Sequence, residues 1–409
     1  MPATSSPGKA LFMFLKACVS SGVLFLPRGF LNGGIVLSTV LMVVVAVICL
    51  VAFLRLVRTH QCIGGGYGEL GGALFGKTVK YLVLFFIVIS QLGFVCSYFI
   101  FISGNMVNVV QVLSQCRVFM SHEMWIWLPL LVLIPMVLVR QIAKLSLTAI
   151  IADVFILFGL LCVLYFTGDQ LRRYGPGPNI QAVNTEEIGL MVGTAVFAFE
   201  CVGLVIPIAE SMENPEKFPL VVWAGMIIVC VVYLLIGGIS YLAYGDRIQA
   251  AVIYNFPPNN PLTITVQLLY SIAIILTIPL MMFPAINIME NIIFRKCLSG
   301  SQSQAVKWGK NLFRCGLTLA CAATAYLVGG ENLDKFVALV GSVACIPLCY
   351  IFPGMFHWKI AQRKREKAVD GMLVLVGVGL LAYTFYVTVD SFLKPNHPVT
   401  LAPGCQPVH

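Results

Sequence analysis

The sequence predicts an all-α integral membrane protein: eleven transmembrane helices, arranged as an inverted five-plus-five repeat with one extra helix. Three observations carry this. Of 409 residues, 59% are hydrophobic and 11% charged, with a mean hydropathy of +0.93, whereas a soluble globule runs near a quarter charged. Uncharged stretches recur along the whole chain, and about 20 helical residues suffice to cross roughly 30 Å of hydrocarbon. Two of those stretches, five apart, carry the same kind of break in their middle.

Taken in order, the spans fall at 10–30, 33–57, 78–112, 124–139, 146–167, 188–209, 219–243, 261–293, 311–328, 333–357 and 371–391. The first runs past Pro27 without a small-residue cleavage pattern, and the second follows at once. It therefore reads as a retained span rather than a cleaved signal, and no domain is expected before it. The third and eighth are long enough to tilt or project beyond the bilayer. Residues 10–167 form the first repeat, 188–357 the second and 371–391 the extra helix, within one transmembrane domain covering 1–409.

Lys and Arg set the orientation. With the N-terminus in the cytosol, eighteen of them flank spans on the cytosolic side and seven on the other, Lys16 lying within span one. The C-terminus is then lumenal. The net charge of +9 needs no nucleic acid, and the run "KIAQRKREK" (359–367) reads as an anchor against anionic lipid.

Enzyme chemistry is not expected. Most of the fourteen cysteines, Cys18 among them, lie singly in apolar spans, where a thiol acts as a small hydrophobe. Cys116 and Cys405 fall on one side and are read as separate thiols, although a disulfide between them is compatible with their placement. The five histidines sit in loops or at span ends. No nucleophile–base set or metal cluster converges, so no cofactor and no metal are expected.

The breaks carry the functional reading. Span one contains "ACVSSGVLFLP" (17–27) and span six "AFECVGLVIP" (198–207). In each, a small or polar cluster precedes Gly, then apolar residues, then Pro, and Gly and Pro weaken a helix locally. A bilayer tolerates such a break only where the freed backbone groups face a cavity or find partners. Five spans is an odd number, so the two breaks run in opposite senses, as in the inverted repeats of secondary transporters. A substrate carboxylate is expected at the amides around Ser20, Ser21, Gly22 and Val23. Phe199, Glu200, Cys201 and Gly203 line the other break. Glu200 lies about twelve residues into span six, roughly 18 Å along the helix and too deep to snorkel. An acid at such a depth costs about 2.5–3.5 kcal/mol, so its retention calls for a role in substrate or proton handling.

At these residues the chain resembles the amino acid/auxin permease family, and within it the fungal vacuolar amino acid exporters. The likeness runs through "LKACVSSGVLFLPRGFLNGG", "SQLGFVCSYFIFISGN", "FAFECVGLVIPIAESMENPEKFP", "YLAYGD" and "FPAINIMENIIF". It implies the fold of the bacterial leucine transporter and proton-linked transport of amino acids across a vacuolar or lysosomal membrane. Three departures stand out. The family's "GTG" is replaced by Ser20, Ser21 and Gly22, and its "FEG" by Phe199, Glu200 and Cys201, which adds side-chain volume at the pocket and favours small neutral substrates. Animal proton-coupled relatives often carry a histidine where this chain has Met13. The long cytosolic N-terminal extension usual in the fungal exporters has no counterpart in these 409 residues.

Other residues complete the expectation. Lys16 and Asp153 lie at equal depth and opposite sign, as an inner gate would, with Glu290 a rival partner for Lys16; Lys16 is also placed to snorkel. Tyr98 is a candidate roof for the substrate, where packing is the alternative. Thr277 either bonds its own backbone or supplies an oxygen to sodium, which is not expected. The leading reading is a monomeric, proton-coupled transporter of neutral amino acids, whose partners are substrate, protons and membrane lipid. Two alternatives are an amino-acid sensor with little flux and a sodium-coupled plasma-membrane permease. A sensor calls for a substantial cytosolic surface, and the cytosolic loops run to around twenty residues.

Overall fold

The computed structural model describes residues 5–19, 21–115, 117, 122–139, 142–258, 260–294 and 304–394, without the side chains of 21, 122, 123 and 142–147. Helix is the only regular secondary structure among them, apart from a single bridge between Ser5 and Met212. Among the described residues, nine helical stretches are long and apolar enough to span a membrane, and a tenth is the pair Pro7–Cys18 and Gly22–Gly33, bent by 46°. The described residues divide into two compact units, which do not follow the order of the chain.

The first unit holds Met1–Ile87, Thr167–Ile248 and Val337–Lys394. Span one is α1 (Pro7–Cys18) and α2 (Leu26–Gly33), joined by a 3₁₀ turn over Ser21–Phe25. Ser6 caps α1 by accepting from the Lys9 amide, with Pro7 in the first turn, where a missing N–H costs nothing. Span two is α3 (Ile35–Ile63), and α4 (Tyr67–Phe75) follows it. Span six is again two pieces, α9 (Ile188–Ala198) and α10 (Val202–Ser211), and span seven is α11 (Phe218–Tyr244).

In this unit the halves of the broken helices pack crosswise, α1 on α10 and α2 on α9, and α11 lies against both α1 and α2. The start of α1 is tied to the end of α10 by Ser5 N–H donating to Ser211 O (3.0 Å) and Glu213 N–H donating to Ser5 O (3.2 Å). Span ten runs through α14 (Leu333–Val340), two π-helical turns (341–345 and 347–351) and α15 (Phe352–Ile360). Its Gly341 crosses the Gly193 carbonyl so closely that no Cβ fits there. Span eleven is α16 (Lys364–Leu393), packed on α15.

The second unit holds Val88–Phe166 and Gln249–Phe336 among its described parts. Its helices come from α5 (Lys77–Leu113), the short α6 (His122–Trp125), α7 (Leu130–Val137), α8 (Ile142–Tyr174), α12 (Pro261–Ile293) and α13 (Gln304–Val328). The expected third and eighth spans are indeed the long ones, at 37 and 33 residues. The expected fourth span, 124–139, contains the eight-residue α7, bounded by Pro129 and interrupted by Pro135, and falls outside the ten span-length stretches. Its last carbonyl, Val137 O, is taken by the Arg314 guanidinium at 3.1 Å. Arg314 is not a flanking cation but a buried one, ion-paired with Glu290 at 2.6 Å.

Candidate functional site

The two breaks meet inside the first unit. A Cβ placed on Gly22 would stand 3.1 Å from the Ala198 Cα, so the 3₁₀ turn of span one lies directly on the last residue of α9. At the same level Cys18 and Cys201 are joined by a disulfide, with their Cα atoms 5.2 Å apart. This corrects the reading of Cys18 as a lone apolar thiol. Its partner is 183 residues away, and only the crossing of the two breaks brings them together.

Among the described residues, one side chain donates to a carbonyl at each break. Tyr233, fully buried on α11, places its hydroxyl 2.6 Å from Cys18 O and 2.8 Å from Ala198 O, the final carbonyls of α1 and α9. Its ring packs on Phe199 with centroids 4.9 Å apart. Nothing in an apolar helical run distinguishes this tyrosine, so sequence reasoning missed it.

Glu200 sits in the break between α9 and α10, half-buried, its amide held at 3.4 Å by Phe197 O. Its carboxylate has no hydrogen bond and no ion pair among the described residues. The Tyr67 hydroxyl of α4 and the Cys345 and Cys349 thiols of the π-helical turns are within range of its charge. Irregular helix of this kind recurs at functional sites. It lies just before the N-terminus of α10, where the helix dipole favours negative charge.

The other expected site residues are placed as follows. Val23 and Phe199 are fully buried beside the breaks, and Cys201 is nearly so. Gly203 faces outward on α10, with nothing within 4 Å of a Cβ built there. Ser20 and the Ser21 side chain lie outside the described residues, as do Cys116 and Cys405. Tyr98 is buried in the second unit. Lys16 is exposed on α1 of the first unit and Asp153 half-buried on α8 of the second. Glu290 is held by Arg314 (2.6 Å) and Lys310 (3.8 Å). Thr277 donates to its own backbone at Ala273 O, 2.8 Å away.

Comparison with known proteins agrees with this architecture. A family model described as "Transmembrane amino acid transporter protein" matches residues 3–390. The chain belongs to that family. It is a family of transporters, not of enzymes. The chain is 40% identical over 402 residues to "Vacuolar amino acid transporter 3" of Saccharomyces cerevisiae, covering 96% of this chain and 57% of that one. A protein of the same name from Schizosaccharomyces pombe is 36% identical, with 95% and 58% covered. The chain thus spans somewhat over half the length of these fungal relatives. "Amino acid transporter AVT3C" of Arabidopsis thaliana is 27% identical, over 93% of this chain and 89% of that one. Among solved structures, one titled "Inward facing conformation of Mhp1" superposes with a TM-score of 0.62 at 13% identity, covering 96% of this chain and 92% of the other. That likeness shows the fold, which is all-α and of the leucine-transporter type.

Proposed function

We propose that the chain moves neutral amino acids across a vacuolar membrane toward the cytosol by alternating access, coupled to protons, with its N-terminus cytosolic and its C-terminus lumenal. The observation that carries this is the Glu200 carboxylate, set in the gap of a broken helix with no partner among the described residues. A carboxylate inside a membrane is expensive, and those that persist mark substrate or proton pathways. Glu200 holds a proton in one state of the cycle and releases it in another. The substrate carboxylate binds the amides of residues 21–23, where the 3₁₀ turn restarts the helix. The names of the fungal relatives support the substrate class and the membrane.

The deciding experiment is uptake into sealed vesicles containing the purified protein, with an imposed pH gradient and a panel of radiolabelled amino acids. Accumulation that follows the proton gradient, and collapses with a protonophore, supports the reading. Accumulation that follows sodium alone, or binding without flux, contradicts it. Lys16 and Asp153 are proposed to pair during the cycle as the inner gate. Reversing both charges then recovers part of the uptake that either single reversal loses, and purely additive losses rule the pair out.

A further inference from the structure

Tyr233 belongs to neither break, yet it touches both. The last carbonyls of a helix have no intrahelical donor, and in an apolar interior such a group must be satisfied or it is costly. Cys18 O ends α1 and Ala198 O ends α9, and the same hydroxyl lies 2.6 and 2.8 Å from them. A phenol has one hydrogen to donate. The two acceptors therefore share a single proton, and that sharing holds only while the breaks keep their present spacing. Three further contacts stand at the same level: the seat of Gly22 on Ala198, the Cys18–Cys201 bond and the Phe199 ring on Tyr233.

We infer that Tyr233 is a positioning residue: its hydroxyl sets the spacing of the two breaks and so the shape of the substrate site between them. The inference rests on the proposed transport function only for its effect on affinity; the spacing itself is measurable without any substrate.

The first measurement reads spacing. Purified protein is reduced, freed of reductant and given glutathione disulfide, and closure of the Cys18–Cys201 bond is followed by mass spectrometry. Tyr233→Phe keeps the ring against Phe199 and removes the hydrogen bond, and closure slows about five-fold, the size of one hydrogen bond's net contribution. The second measurement is uptake by the reduced protein of whichever labelled amino acid in the panel it takes up fastest. Here KM rises by a similar factor while kcat per folded molecule stays within about two-fold, which marks lost binding rather than lost turnover. A merely structural role would lower the amount of protein and leave both readouts unchanged. Should the phenylalanine variant not reach the membrane, 3-fluorotyrosine at position 233 decides: it keeps the ring and strengthens the donor, and closure quickens about two-fold. Closure and KM at wild-type values in the variant that folds overturn the inference. If wild-type protein takes up no amino acid, the transport reading fails, while the closure rates still decide Tyr233.

Discussion

Two polar places in the apolar surround of the first unit are built differently. One is the joint between α3, α15 and α16. Asp370, fully buried, pairs with Arg55 Nε at 3.1 Å and with His357 Nδ1 at 2.6 Å. The Arg55 Nη1 stands 3.5 Å from His357 Nε2. Arginine can only donate, so Nε2 is the acceptor and Nδ1 carries the proton that goes to Asp370. Each charge at the joint has a counter-charge, and the three side chains tie three helices. The other place is the pair of breaks. There two carbonyls share one hydroxyl, and a carboxylate has no partner among the described residues. The contrast separates polar groups that hold a membrane protein together from polar groups left with capacity to bind something else.

Three experiments press on that contrast. The largest effect is expected from Gly22→Leu. The turn of span one rests on the Ala198 backbone, 3.1 Å from where even a Cβ on Gly22 would stand, so the longer leucine side chain forces the breaks apart and uptake falls about a hundred-fold while the protein still folds, by analogy with misplacement at a reacting centre. Uptake at the wild-type rate would show that the breaks need not approach.

Next comes Asp370→Ala, which leaves the largely buried Arg55 guanidinium without its counter-charge and the buried His357 Nδ1–H without its acceptor. Breaking a buried pair this way costs about 3–5 kcal/mol. Thermal unfolding should shift down accordingly, with uptake per folded molecule unchanged. A variant with normal stability but no transport would move the joint into the functional class and break the comparison.

The smallest effect is that of reductant. The Cys18–Cys201 bond ties the very segments that alternating access must move, so reduction raises wild-type uptake several-fold, whereas Cys18→Ser protein is insensitive. Equal rates before and after reduction would show that the breaks move as one body.

Much of this architecture is legible in the sequence, for physical reasons that differ from place to place. Span eight was expected at 261–293 and is found there, because Asn260 and Pro261 make an unambiguous helix start. Both breaks fall where Gly, small residues and Pro weaken the helix, after Cys18 in span one and at residues 199–201 in span six. Glu200 stands out because an acid in an apolar run has no local excuse. Span four is less legible: residues 124–139 are apolar enough, but α7 covers only Leu130–Val137, with Pro129 at its start and Pro135 inside it.

What the sequence hides are the partnerships across the fold. Tyr233 reaches carbonyls 215 and 35 residues away, and backbone oxygens carry no residue identity to search for. Cys18 and Cys201 each look like an ordinary small apolar residue until the breaks are superimposed. His357 lies in the last turn of α15, at the span end where it was expected, but its pairing with Asp370, thirteen residues later, leaves no mark in the sequence.

The central claim is that Glu200 carries the coupling proton, and Glu200→Gln tests it most directly. Glutamine keeps the shape and most of the hydrogen-bonding capacity of the protonated acid and removes the titration. In vesicles loaded with a pH-sensitive dye, wild-type protein should move protons together with the labelled amino acid. The Glu200→Gln protein, folded and with unchanged thermal stability, should show no proton movement coupled to substrate and no accumulation driven by the pH gradient. Downhill exchange of substrate, if it persists, should no longer depend on pH. Wild-type accumulation with the wild-type pH profile in that variant would contradict the account and return Glu200 to a structural role.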